Sequence, residues 1–126
     1  MRRLLEGLAA KGSMTDLVHR IILDNAKLVM KSDRRFENVR IKKESGADAV
    51  IADYKSVPGN NIRIMATPVK ANSWTLSLVV RARRNNNDNV AEETVKVPAF
   101  DDTRHFEKEL RKTVSGMVKY LNVKGN

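Results

Sequence analysis

The sequence predicts an α+β fold: an antiparallel sheet of four to five strands, with an N-terminal and a C-terminal helix packed on one face. Three observations carry this expectation. Apolar residues recur at helical spacing near both ends of the 126-residue chain. Between them, short runs alternate apolar and polar residues with the period of a half-buried strand. The connections between those runs are of hairpin length and rich in Gly, Pro and Asn, so neighbouring strands run antiparallel.

The first helix is capped by Ser13 or Thr15, carries Asp16 in its first turn, and ends near Ser32 and Asp33. Leu17, Val18, Ile21, Ile22, Leu28 and Val29 form its expected apolar stripe, opposite His19, Arg20, Asp24 and Lys27. Val39 and Ile41 alternate with Arg40 and Lys42 in a first strand. Ser45, Gly46, Ala47 and Asp48 make a hairpin turn, and Ala49 to Lys55 a second strand. After the turn Val57-Pro58-Gly59-Asn60-Asn61, the residues Ile62, Ile64 and Ala66 alternate with Arg63, Met65 and Thr67. The cleanest alternation is Trp74, Leu76, Leu78, Val80 and Ala82 against Thr75, Ser77, Val79, Arg81 and Arg83. Asn85 to Asn89 read as a loop tip, Glu92 to Val97 as a fifth strand ended by Pro98, and Asp101 or Asp102 as the cap of the last helix. That helix carries the stripe Phe106, Leu110, Val114, Met117, Val118 and Leu121.

Length bounds the chain to one domain, residues 14–126. Residues 1–13 read as a leader, because Gly12-Ser13-Met14 resembles a tag junction before an initiator methionine. A native extension that docks on a partner, or the stub of an Arg-rich targeting peptide, fits the same residues.

The net charge of +9 and the pI near 10.1 favour an acidic partner. The excess sits on strands and loops: Arg34, Arg35, Arg40, Lys42, Arg63, Arg81, Arg83 and Arg84 are the candidate nucleic-acid contacts. If the apolar phase of each strand faces the helices, Arg40, Lys42, Arg63, Met65, Thr75, Ser77, Arg81 and Arg83 share the other face. Arg and Lys there would neutralise phosphates, and Ser and Thr would donate to phosphate or sugar oxygens. The same pattern also fits a solvated face whose charges keep sheet edges from pairing. Phe36, beside Arg34 and Arg35, would stack on a base or close the core; Tyr54 is a candidate for the outer face; Trp74 favours the core. With so few aromatic residues, binding should be mostly electrostatic and salt-sensitive.

Enzymatic signatures are missing. There is no G-x-S-x-G, no phosphate-cradling glycine loop and no dinucleotide fingerprint. His19 and His105 lack companions at metal-ligand spacing, Asp101 and Asp102 are explained as helix caps, and Glu92 and Glu93 have no convergent acid or base. The expectation is a non-enzymatic protein with no cofactor and no metal. The chain has no cysteine, which excludes disulfides and fits a reducing compartment. No apolar run approaches the roughly 20 residues that span a bilayer, so no membrane partner is expected.

A basic antiparallel sheet followed by a helix, over Arg40 to Leu121, resembles the Whirly-like single-stranded nucleic-acid-binding fold, including small Whirly-like RNA binders of large nucleus-forming phages. The resemblance lies in element order and charge. The Lys-Gly-rich signature of the plant proteins is missing, Val123-Lys124-Gly125-Asn126 does not replace it, and no residue is carried over. The resemblance implies binding of RNA or single-stranded DNA in the cytoplasm, the host cytoplasm for a phage chain. Because Whirly proteins usually carry two sheet units, it also implies a homodimer or higher homo-oligomer, with Trp74 to Arg84 and the helix Phe106 to Leu121 as candidate surfaces. The double-stranded-RNA-binding domain is a more distant likeness, since its last helix begins basic and this one begins Asp101-Asp102. A protein-interaction module with a basic surface is the alternative function.

Overall fold

The computed structural model describes residues 15–44, 46–67, 76–85, 88–97 and 103–123, with the side chains of 15–19, 67, 76, 97 and 103 outside that description. The leader, the side chains of Leu17, Val18, His19 and Leu76, and Trp74, Thr75, Asn86, Asn87, Phe100, Asp101 and Asp102 therefore lie outside the described residues.

The element order is α1 (Thr15–Lys31), β1 (Phe36–Glu44), β2 (Ala47–Tyr54), β3 (Asn61–Thr67), β4 (Leu76–Arg84), β5 (Asp88–Val97) and α2 (Thr103–Leu121). The five strands form one antiparallel meander in the order β1-β2-β3-β4-β5. Helix α1 packs against β1, β2 and β3, and α2 against β4 and β5. The α+β fold with both helices on one face is the one the alternation predicts.

The core lies between that face and the helices. Val50, Ala52, Ile62, Ile64, Leu78, Val80, Ala82 and Val95 meet Ile22, Leu23, Ala26, Val29 and Met30 of α1 and Phe106, Leu110, Val114, Met117 and Leu121 of α2. The α1 stripe departs from expectation: Leu28, expected in it, is 65% exposed, while Leu23, Ala26 and Met30, not expected in it, are buried. Leu28 stands about 200° round the helix from Ala26, so it cannot share its face.

Two bulges set the strand boundaries. β1 starts at Phe36, upstream of the expected Val39, and its register slips between Glu37 and Arg40. Asn38 absorbs the extra residue with a positive φ of 53°. The bulge turns Phe36, Val39 and Ile41 to the same core although the first two are an odd number of residues apart. β5 starts at Asp88 because a second slip, beside Ala82 and Arg83, keeps the hairpin paired to Arg84↔Asp88. Part of the expected Asn-rich loop tip is thus strand. Gly46 (φ 84°) closes the β1–β2 hairpin next to the pair Glu44↔Ala47, and Gly59 (φ 92°) occupies the left-handed region in the β2–β3 turn.

Tyr54 does not reach the outer face. It is 5% exposed, its ring lies 5.6 Å from that of Phe36, and its hydroxyl donates to Asn122 Oδ1 at 2.8 Å. Phe36 is likewise core, 4% exposed. β4 is hydrogen-bonded on both sides, by β3 and β5, and the apolar stripe of α2 packs into the chain's own core. Among the described residues, no helix is long and apolar enough to cross a membrane.

Candidate nucleic-acid interface

The face of the sheet opposite the helices is organised by its register. One rung crosses all five strands: Arg40 pairs with Ile51, Ile51 with Arg63, Arg63 with Arg81, and Arg81 with Glu92. The rung on one side reads Asp53, Asn61, Arg83 and Asn89; the rung on the other reads Lys42, Ala49, Met65, Val79 and Thr94. Side chains on one rung share a face, so the expected set Arg40, Lys42, Arg63, Met65, Arg81 and Arg83 is brought together.

This face has an apolar floor. Ala49 and Ile51 are 0% and 1% exposed although they point away from the helical core. Arg40 and Arg63 flank Ile51 in its rung.

Acidic and amide groups interleave with the arginines. Arg40 Nη1 lies 3.2 Å from Asp53 Oδ2 and donates to the Asn38 carbonyl at 2.7 Å. Arg81 Nε donates to Glu92 Oε1 at 2.7 Å, and its Nη1 lies 3.9 Å from Met65 Sδ. Arg83 Nε donates to Asn89 Oδ1 at 2.7 Å. Arg63 Nε donates to Asn61 Oδ1 at 3.3 Å, and its Nη1 pairs with Glu44 Oε1. The same Glu44 oxygen lies 3.8 Å from Arg83 Nη1.

Like charge is nevertheless crowded here. Arg63 and Arg81 stand directly opposite one another, an arrangement that costs stability in a sheet. Burial, then the nearby Arg83 and Arg40, lowers the Arg63 guanidinium below its ordinary value; burial, then Arg81, does the same to Arg83. Both remain charged, because an arginine in a protein does not lose its proton.

Three of the eight candidate contacts fall elsewhere. Arg84 has the phase of Ala82, and its Nε donates to the Tyr120 carbonyl of α2 at 2.7 Å. Arg35 grips Asp33 with Nε and Nη2 at 2.9 and 2.6 Å and reaches Ser115 of α2 at 3.2 Å. That pairing raises Arg35 and lowers Asp33 from their ordinary values. Arg34 is exposed in the turn between α1 and β1. Adjacency in sequence suggested a single basic set; strand phase separates it.

Glu44, Asp53, Asn61 and Glu92 belong to the face and were not among the expected contacts. Glu44 had a readable signal, since it continues the spacing of Arg40 and Lys42. Its reach across β2 to β3 and β4 had none.

No group of three or more His, Asp or Glu side chains that could hold a metal occurs among the described residues. A cleft of about 630 Å³ between β5 and α2 is lined by Glu93, Thr94, Glu109, Lys112 and Tyr120 among others. Compared with protein-family models, curated proteins and solved structures, the chain finds no match.

Proposed function

We propose that this chain is a non-enzymatic binder of single-stranded nucleic acid, RNA or DNA, that holds phosphates on the sheet face with Arg40, Lys42, Arg63, Arg81 and Arg83. The observation that carries the reading is the rung Arg40–Ile51–Arg63–Arg81, with Arg83 and Lys42 on the rungs beside it. Guanidiniums set opposite one another repel, and a polyanion laid across them relieves that repulsion while releasing counterions. The pairs Arg40–Asp53 and Arg81–Glu92 are substantially exposed, so they oppose such a ligand weakly.

Among its described residues the face offers cations and a few hydroxyls and amides but no row of exposed rings, which favours backbone contact over base reading. Arg34, Arg35 and Arg84 drop out of the contact set, two through their engagement with other residues and one through its place on the α1–β1 turn. The test is fluorescence anisotropy with labelled single-stranded RNA, single-stranded DNA and duplex DNA, at low and at physiological salt. Five phosphate contacts correspond to a log–log salt slope of about −3.5 on a single strand, roughly a hundredfold loss over a fourfold rise in salt. Binding to none of the three probes overturns the reading.

A further inference from the structure

Among the ion pairs of the sheet face, the one made by Glu44 stands apart. Glu44 is the last residue of β1, beside Gly46 and the β1–β2 hairpin turn, yet its carboxylate crosses the neighbouring strand to Arg63 on β3 and Arg83 on β4. Its side chain is 26% exposed, and those of Arg63 and Arg83 are 11% and 18% exposed. The partners in Arg81–Glu92 are 31% and 55% exposed, so solvent screens the Glu44 cluster least. Glu44 Oε1 and Arg63 Nη1 are themselves sealed from solvent.

Arg63 pairs with this carboxylate oxygen and Arg83 lies within ion-pair distance of it, so one anionic oxygen sits between two guanidiniums, a place whose charge also suits a phosphate oxygen. The cluster lies at the middle of the face, on β3 and β4, where a strand crossing the rung Arg40–Arg63–Arg81 would pass. We propose that Glu44 is an internal competitor: its carboxylate occupies the seat of one backbone phosphate on Arg63 and Arg83, and a bound single strand displaces it into solvent. This rests on the nucleic-acid reading above.

A lone phosphate, although it carries more than one negative charge at neutral pH, must displace an attached carboxylate with no second contact to hold it near the seat. A polynucleotide held at the same time by Arg40, Lys42 and Arg81 presents its next phosphate at high effective concentration and wins the exchange. Glu44 therefore sets a length threshold, rejecting free phosphate and mononucleotides while admitting chains that span several strands of the sheet.

The experiment compares wild type, Glu44→Gln and Glu109→Gln with oligouridylate and oligothymidylate of about 12 nucleotides, and with inorganic phosphate, across a salt series. Glu109→Gln changes the net charge equally, but on α2. Glu44→Gln is expected to bind oligonucleotides about tenfold tighter, because the phosphate seated on Arg63 and Arg83 no longer has to displace an attached carboxylate. Adding Arg63→Gln to Glu44→Gln should abolish the gain. Wild type and Glu44→Gln binding equally, or Glu109→Gln gaining as much, overturns the competitor role and leaves the nucleic-acid reading standing. Absence of binding by every protein overturns both. Should Glu44→Gln not fold, as judged by its thermal melt, the Glu44 carboxyl carbon-13 signal of wild type is followed instead: a shift on adding oligonucleotide supports displacement, and an unmoved signal with oligonucleotide bound overturns it.

Discussion

Asn60, in the turn between β2 and β3, donates its side-chain amide to the main-chain carbonyl of Leu121, the last residue of α2, at 2.8 Å. The same amide reaches the Val123 carbonyl at 3.0 Å, and its oxygen accepts the Asn85 N–H at 3.2 Å. The last carbonyls of a helix have no partner within it, and here a turn far away in sequence supplies one. Arg84 Nε serves the Tyr120 carbonyl in the same way, and the Tyr54 hydroxyl fastens Asn122. One buried asparagine thus joins the end of α2, the β2–β3 turn and the β4–β5 hairpin.

Asn60→Ala should destabilise the chain by about 2–3 kcal/mol, since it strips partners from buried polar groups. Urea unfolding measures this. A loss within error of wild type would make the clamp incidental.

The two exposed and buried leucines of the helices give an internal comparison. Leu110 of α2 is fully buried, and Leu110→Ala should cost about 2–5 kcal/mol. Leu28→Ala, at a position 65% exposed, should change stability by less than about 0.5 kcal/mol. Equal costs in thermal denaturation would contradict the assigned face of α1.

Binding and stability should separate at neighbouring arginines. Arg81→Glu is expected to weaken single-strand binding about tenfold or more and to reduce the salt slope by about 1 or more, with the fold retained. Arg84→Ala should cost about 1–2 kcal/mol of stability by orphaning the Tyr120 carbonyl, and leave affinity little changed. Anisotropy and denaturation run on both variants decide it; affinity lost equally at both positions would mean that strand phase does not define the interface.

Acid should act through Asp33. Its bidentate hydrogen bond to Arg35 holds the carboxyl below its ordinary value, so the unfolded chain binds a proton that the folded chain does not. The stabilisation is complete above the unfolded value, near pH 4, and is lost as pH falls through the depressed folded value. Asp33→Asn should be less stable than wild type at neutral pH, with the difference shrinking on acidification below about pH 4. A difference independent of pH over that range would remove the ion pair as its cause.

Much of the fold was legible because alternation is a local property. Ile62, Ile64, Leu78, Val80 and Ala82 are buried as their spacing requires, and Phe106, Leu110, Val114, Met117 and Leu121 line α2 as theirs requires. The early starts of β1 and β5 were not legible, because each depends on a bulge that only pairing with a neighbouring strand reveals. Leu28 misled because a hydrophobic residue next to a stripe looks like part of it until the angle round the helix is counted.

The sequence by itself determined the order and type of the elements, and the common phase of Arg40, Lys42, Arg63, Arg81 and Arg83, since both follow from side-chain direction along a few consecutive residues. Only the tertiary structure decided that Arg63 faces Arg81, that Glu44 reaches both Arg63 and Arg83, that Arg84 and Asn60 are spent on the end of α2, and that Tyr54 is core. These relations join residues distant in the chain. They depend on strand register and on where the helices settle across the sheet, which are fixed when the whole core packs rather than by any local run of residues.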